Sequence, residues 1–223
     1  MEVANSQAQR EKTSDASALI VVDVQTCFTR PASSFDKALE GGDSADFFQR
    51  VDNVVIPNLQ DLLSYFRREE YLVYFTEMGS LRTDGGDLPL SLRVANEKSL
   101  SLTGVAVIPH LGEEDSRTDS RVRPLNDEVV FRKTTTGTLA STPLAQNLRA
   151  LGTESVFVAG IVTDCCVAQT ARELADQDFD VCVVEDACAS YDSGHHRMML
   201  EVFQNFYGSV ASTREVIDQN HEP

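Results

Sequence analysis

The sequence predicts an α/β fold: a three-layer α/β/α arrangement around a doubly wound, mostly parallel six-stranded sheet. Three observations support this prediction. Continuous apolar runs of strand length are typical of strands buried on both faces. Between these runs lie segments whose apolar residues recur at three-to-four spacing, as in amphipathic helices. The two kinds of segment alternate, which implies right-handed crossovers, helices on both faces of the sheet, and a site at the carboxyl ends of the strands.

The predicted elements follow one another along most of the chain. Strands are expected at 18–24, 71–76, 128–132, 155–159, 181–184 and, from a weaker signal, 208–211. Helices are expected at 47–68, 142–151, 165–177 and 191–206. Two long stretches, 27–44 and 79–123, show neither pattern, and each fits a pocket wall or lid as well as it fits a mobile surface insertion.

Length and charge exclude several classes of function. The 223 residues suffice for one well-buried domain, which we expect at 17–223. Residues 1–16 are polar and lack an apolar core, so we expect a flexible tail, and neither a secretory signal nor a membrane anchor. No later apolar run approaches the roughly 20 residues that span a bilayer. The net charge of −16 disfavours a nucleic-acid partner, since such partners require clustered Lys and Arg.

The five cysteines indicate a reducing compartment. Their number is odd and their spacing is not that of a zinc site, so a disulfide scaffold is not expected. We therefore predict a cytoplasmic location, with most of the thiols serving as small buried hydrophobic groups and one as a candidate nucleophile. They are Cys27, Cys165, Cys166, Cys182 and Cys188.

One segment combines a strand, a glycine turn and a helix start. It runs from Ser155 through Gly160 and Thr-Asp to Cys165 and Cys166. A cysteine in the first turn of a helix meets unpaired backbone N–H groups and the positive end of the helix dipole, which favour the thiolate over the thiol. The same N–H groups are suited to hold the oxyanion of an attacked carbonyl. Taken alone, however, the segment fits a packing cysteine better than a catalytic one.

Two ionisable residues stand at the ends of other predicted strands. Asp23 follows the apolar run 18–22, and Lys133 follows the run 129–132. A lysine at a strand end is by itself usually just solvated. A carboxylate at the end of a central strand, in contrast, must be paired or must serve a function. Three strand ends thus offer an acid, an ammonium group and a thiol.

With these residues, the sequence resembles the isochorismatase-like cysteine hydrolases, a family that includes nicotinamidases, carbamoyl and ureide amidohydrolases, and isochorismatases. The resemblance extends from about residue 18 to about residue 216, and the order and spacing of its motifs agree over that length. The segments that carry it are Val21-Val-Asp23-Val-Gln25, Lys133, Gly137-Thr-Leu139, Thr142-Pro-Leu144, Gly160-Ile-Val-Thr-Asp-Cys-Cys166-Val and Glu185-Asp-Ala-Cys-Ala-Ser190.

The resemblance implies a role for each of these positions. Cys166 would be the nucleophile, Asp23 the general acid and base, and Lys133 the electrostatic support, whereas Cys165 would be structural. A cis peptide bond between Ile161 and Val162 would direct the N–H groups of Val162 and Cys166 at the oxyanion. The resemblance also implies a homodimer or homotetramer.

Departures from the family bear on the substrate. Nicotinamidases carry an Asp-x-His pattern and a further His after the second strand to bind a metal, but residues 74–82 contain no His. We therefore expect no metal, no cofactor and no nicotinamide specificity. Leu139 stands where many relatives have Phe, which would widen the pocket. Phe28 and Met78 are candidate pocket walls that fit a core position equally well, and Gln25 fits a contact to substrate or to backbone.

These observations lead to three functional hypotheses. The first is metal-independent hydrolysis of a C–N bond in a small amide, ureide or carbamoyl compound through a Cys166 thioester. The alternative is an isochorismatase that yields 2,3-dihydro-2,3-dihydroxybenzoate and pyruvate with Asp23 as general acid. Some isochorismatases have Gly at the cysteine position, so a retained Cys166 favours the first. The third, a catalytically idle binding protein, requires a broken triad, and this triad is intact.

Overall fold

The computed structural model describes residues 17–38 and 44–218. The predicted architecture is confirmed there: six strands form one parallel sheet with helices on both sides. The strands are β1 (Ser17–Val22), β2 (Leu72–Met78), β3 (Val129–Lys133), β4 (Ser155–Ile161), β5 (Asp180–Ala189) and β6 (Ser209–Ala211). The expected tail, residues 1–16, lies outside the described residues.

The strand order is β3-β2-β1-β4-β5-β6. β1 is central, and its residues from Ala18 to Val22 are fully buried, which explains why this strand is a continuous apolar run. From β1 the chain first builds one half of the sheet and then crosses to β4 to build the other. Because the order reverses there, the carboxyl ends of β1 and β4 flank the crevice in which doubly wound sheets bind ligands.

Helices and helical turns cover the sheet. The helices are α1 (Thr26–Thr29), α2 (Ser34–Ala38), α3 (Ala45–Arg50), α4 (Ile56–Arg68), α5 (Leu90–Thr103), α6 (Leu144–Ala150), α7 (Ala168–Ala175), α8 (Ser193–Phe206) and α9 (Thr213–Asp218). Two π-helical turns join them, Val51–Val55 between α3 and α4 and Thr163–Val167 before α7. Within the described ranges, no helix combines the length and the apolar character needed to cross a membrane.

The predicted helix 47–68 corresponds to α3, the first π-helical turn and α4 in succession. Its apolar stripe is buried against the sheet, as three-to-four spacing requires. Phe66 of α4, for example, packs edge-on against Phe157 of β4 with the ring centroids 5.4 Å apart. This helix therefore supports the two central strands whose ends carry the site.

The two stretches without a pattern, 27–44 and 79–123, contain helices that the sequence analysis did not predict. α1 begins at Thr26 and α2 follows within the first stretch, and the second stretch holds α5 and two short 3₁₀ turns, Glu114–Ser116 and Ser120–Val122. α5 escapes pattern analysis because several of its apolar side chains, such as Leu90 and Leu100, are exposed. A helix that does not bury one regular face lacks the periodicity by which sequence reasoning finds helices.

Candidate active site

The carboxyl ends of three strands bring Asp23, Lys133 and Cys166 together. Asp23 follows β1, Lys133 ends β3, and Cys166 lies in the π-helical turn after β4. Because Val22 pairs directly with Gly160, the segments that carry Asp23 and Cys166 leave the sheet side by side. Asp23 and Lys133 are buried almost completely, and Cys166 is 6% exposed. The two opposite charges are in direct contact, with Nζ of Lys133 2.8 Å from Oδ2 of Asp23.

Thr76 of β2 fixes the orientation of Asp23. The backbone of Asp23 is left-handed (φ +50°), and its N–H donates to the carbonyl oxygen and to Oγ1 of Thr76. The Thr76 hydroxyl in turn donates to Oδ1 of Asp23 over 2.6 Å. Oδ2 has no hydrogen-bond partner among the described residues, since Lys133 meets it as an ion pair outside hydrogen-bonding alignment. One carboxylate oxygen is thus held in place, and the other is available to accept a proton.

Lys133 is held as a buried ammonium group. Its Nζ donates to the carbonyl oxygens of Thr135 and Thr136, over 3.0 and 2.6 Å. Burial by itself lowers the pKa of Lys133, but the neighbouring Asp23 and Cys166 outweigh it, so the pKa is raised. The positive charge therefore persists at neutral pH and compensates the buried carboxylate.

Cys166 rests as a thiol, contrary to the expectation that the helix start would favour the thiolate. A hydrogen bond with the Cys165 side chain and complete burial raise the pKa of Cys166 well above its ordinary value, and Lys133 only partly opposes them. The Cys166 thiol also contacts Met78, with the two sulfur atoms 3.4 Å apart. A nucleophilic role for this side chain would therefore require a base that removes the thiol proton.

The turn that carries Cys166 has a well-defined backbone. The peptide bond between Ile161 and Val162 is cis, as the resemblance implied. The Val162 carbonyl accepts from the N–H groups of Cys165 and Val167, and the Asp164 N–H donates to Oγ of Ser190. Three N–H groups next to Cys166 are thus used within the protein.

Gly160 allows β4 to approach β1 closely just before this turn. Its φ of +126° lies in the region that favours glycine, and a Cβ added there would lie 2.2 Å from the carbonyl oxygen of Val22. A side chain at this position would displace the two strand ends that carry the acid and the thiol.

A cavity of about 210 Å³ lies over Cys166. Its polar lining residues are Asp23, both cysteines of the turn and Tyr191, whose buried hydroxyl has no hydrogen-bond partner among the described residues, and the other lining residues are apolar. Phe35 forms part of the wall, with its ring centroid 5.0 Å from that of Phe28 and 5.3 Å from that of Tyr191. Lys133 does not line the cavity, so its charge acts on substrate through Asp23 and Cys166.

The candidate substrate-binding residues divide into two groups. Phe28 and Met78 line the cavity and also belong to the buried core. Gln25 and Leu139 do not line it. The Gln25 amide is buried and bonds the backbone of Met78 and Ser116, which decides for its backbone interpretation. Leu139 packs against the core, and its N–H donates to Glu173, so its size does not set the width of the cavity.

Sequence reasoning missed several residues of the site. Thr76 gave a weak signal, because it is a polar residue that ends a predicted apolar strand. Cys165, expected to be structural, is exposed and lines the cavity. Leu92 and Val107 come from the stretch without a pattern, and nothing in the sequence assigns them to this wall. The structure alone shows that they meet the strand ends.

The metal prediction concerns residues 74–82, which in the structure are the end of β2 and the start of the following loop. In the ranges 17–38 and 44–218, no group of three or more His, Cys, Asp or Glu side chains is arranged to hold a metal ion. The single carboxylate of the cavity is already paired with Lys133. The residues of the site therefore supply an acid–base group and a thiol and do not form a set of metal ligands.

Comparison with known proteins agrees with this geometry. The isochorismatase domain model matches residues 17–215. An uncharacterized isochorismatase family protein of Bacillus subtilis, YrdC, is 22% identical over 90% of this chain and 94% of its own. Ureidoacrylate amidohydrolase RutB of Acinetobacter baylyi is 24% identical over 92% of this chain and 83% of its own.

A solved structure shares the fold. The cysteine hydrolase of Pseudomonas syringae pv. phaseolicola superposes with a TM-score of 0.78 at 22% identity, covering 95% of each chain. The family model spans all six strands and the three strand ends that carry the acid, the ammonium group and the thiol. The chain therefore belongs to the isochorismatase family and is a hydrolase of that family.

Proposed function

We propose that this hydrolase cleaves the C–N bond of a small amide, ureide or carbamoyl compound, with Cys166 as nucleophile. The observation that carries the proposal is the arrangement of the buried Asp23 carboxylate, whose Oδ1 is held by Thr76 and whose Oδ2 meets only the ammonium group of Lys133, in the same cavity as the Cys166 thiol. A carboxylate with one fixed and one available oxygen suits a group that must accept a proton and return it.

The first half-reaction makes a thioester. Oδ2 of Asp23 accepts the Cys166 proton as the sulfur attacks the carbonyl carbon, and a C–S bond forms. The tetrahedral oxyanion is stabilised by the N–H groups of Val162 and Cys166, while those of Asp164, Cys165 and Val167 already donate within the protein. The C–N bond then breaks as Asp23 returns the proton to the leaving nitrogen.

The second half-reaction releases the acid. Asp23 takes a proton from a water molecule, the resulting hydroxide attacks the thioester carbonyl, and the C–S bond breaks. The proton returns to the Cys166 sulfur and restores the resting thiol. The buried ammonium group of Lys133 lies 2.8 Å from Oδ2 and compensates the charge of Asp23 before and after each proton transfer.

Product release by purified enzyme tests the proposal. Wild type and Cys166→Ala are incubated with a panel of small amides and ureides, followed by ammonia, and with isochorismate, followed by pyruvate. We expect ammonia from wild type and a loss of about 10⁴-fold or more in the variant, because the nucleophile is gone. Cys182→Ala is the matched control, since Cys182 lies in the first half of β5, away from the carboxyl edge, and it should retain wild-type activity.

The competing isochorismatase hypothesis makes the opposite prediction. Vinyl-ether cleavage needs Asp23 as an acid and no thiol nucleophile. Pyruvate release that persists in Cys166→Ala, without ammonia from any panel member, would contradict the proposal. The cytoplasmic location and the homodimer or homotetramer stay predictions.

A further inference from the structure

The described lining of the cavity over Cys166 holds no cation with which to bind an anionic substrate. It includes no Lys, Arg or His, and Asp23 is the only Asp or Glu among the described lining residues. Lys133, which does not line the cavity, is already paired with Asp23 over 2.8 Å. Asp23 and Lys133 together carry no net charge, and the transfer of the thiol proton to Asp23 during attack leaves the net charge of the site unchanged.

The walls are suited to a small apolar group. The rings of Phe28, Phe35 and Tyr191 form one side, and Leu92 and Val107 contribute aliphatic surface from the second long stretch. The volume of about 210 Å³ is below the roughly 300–1,000 Å³ of sites for drug-sized ligands. At about 30 Å³ per water molecule, it is the space of about seven waters.

We propose that the substrate is an uncharged amide whose acyl group is a short branched or aromatic hydrocarbon, and that amides bearing a carboxylate are rejected. This inference rests on the proposed function and narrows it. A carboxylate buried here would lose its hydration without gaining a cation, which is costly in an apolar cavity. A hydrocarbon of the same shape gains by leaving water. The site thus differs from one built for ureidoacrylate or for dianionic isochorismate.

A pair of shape-matched amides tests the proposal. In 4-methylpentanamide an isopropyl group replaces the carboxylate of succinamate, and the rest of the molecule is the same. We expect kcat/KM for the neutral amide to exceed that for succinamate by about 100-fold or more, because the site has no partner for the charge. Equal or faster ammonia release from succinamate would overturn the inference and leave the amidohydrolase proposal standing.

Binding to the inactive Cys166→Ala protein separates the two proposals. Calorimetry should show 4-methylpentanamide binding at least about tenfold more tightly than succinamate. Binding of neither amide, or tighter binding of succinamate, would overturn the inference. Selective binding of the neutral amide together with no ammonia from wild type would refute the proposed function alone.

A charged wall should weaken the preference for the neutral amide. Leu92 is a partly buried cavity residue of α5, so a longer side chain there can still reach water. In Leu92→Arg we expect the ratio of kcat/KM for the neutral amide to that for succinamate to fall about tenfold or more, because the guanidinium pairs with the carboxylate. Leu92→Met is the neutral control of similar volume and should leave the ratio within about threefold. An unchanged ratio in Leu92→Arg would count against this cavity as the acyl site.

Discussion

Replacing Lys133 with Met should destabilise the protein more than any change of an exposed lysine. The ammonium group is fully buried and lies 2.8 Å from an equally buried carboxylate of Asp23. Removing one member of such a pair leaves an uncompensated buried charge and costs about 3–5 kcal/mol. At a urea m-value of about 2 kcal/mol per molar, the unfolding midpoint should fall by roughly 1.5–2.5 M. Equilibrium urea unfolding at pH 7, followed by circular dichroism, measures this shift.

Two further variants test whether the loss of stability comes from the ion pair. Lys98→Met changes an exposed lysine of α5 and should alter the free energy of unfolding by less than about 0.5 kcal/mol. The double variant Asp23→Asn/Lys133→Met removes both charges and should be more stable than Lys133→Met alone, because no unpaired ion remains. A loss below about 1 kcal/mol in Lys133→Met, or a double variant that shows the sum of the two single losses, would refute the ion-pair reasoning.

The pH dependence of the same difference has a definite sign. Folding raises the pKa of Lys133 above its ordinary value of 10.5, because Asp23 and Cys166 outweigh the effect of burial. The folded protein therefore holds this proton more tightly than the unfolded chain, and the stabilisation is fully present below about pH 10.5. It is lost as the pH rises through the folded value. The stability gap between wild type and Lys133→Met should be constant near neutrality and should narrow in strong alkali.

Three other predictions concern positions around the site. Thr76→Val removes the hydroxyl that holds the Asp23 carboxylate and should lower kcat about 10–100-fold with little change in KM, as measured by steady-state kinetics. Thr76→Ser keeps a hydroxyl and should restore most of the rate. A change in KM alone in Thr76→Val would contradict this prediction. Gly160→Ala should lower the free energy of unfolding in urea by more than about 3 kcal/mol, because its Cβ has no room. Gly152→Ala is the control: Gly152 also has a positive φ but open space around it, and the loss should be about 1 kcal/mol. Equal losses in the two variants would argue against the steric reasoning. Burial and Arg50 lower the pKa of His196 to about 4. The unfolded chain therefore binds more protons at this residue, and the free energy of unfolding should fall as the pH drops from about 6.5 to 4. His196→Gln should flatten this pH dependence, and an NMR titration that places the pKa of His196 near 6.5 would contradict the prediction.

Much of the fold was predictable because its signals are local. A strand buried on both faces must be apolar throughout, and Ala18 to Val22 meet that requirement. A helix that buries one face must repeat its apolar residues at three-to-four spacing, as α4 does. α5 has no such face and was not predicted. Local pattern therefore finds the elements that build the core and misses those that cover the site.

The residues of the candidate site were predictable for a related reason. A carboxylate and a lysine that end apolar strands are anomalies visible in the sequence, and the resemblance to the family assigned their roles. The protonation state of Cys166 was not predictable in this way. A helix start alone favours the thiolate, but burial and the neighbouring Cys165 thiol dominate and raise the pKa of Cys166. Such effects depend on distances that a sequence does not contain.

The sequence by itself determined the order of strands and helices, the strand ends at which Asp23, Lys133 and Cys166 stand, and the family. The tertiary structure decided which oxygen of Asp23 is held by Thr76 and which one faces Lys133. It also decided that aromatic and aliphatic side chains from three separate stretches close a small cavity whose described lining includes no cation. The physical reason is the sequence separation of the residues that interact. Secondary structure follows from periodicity between near neighbours in the chain. The charge and shape of a cavity depend on residues far apart in the chain, which only folding brings into contact.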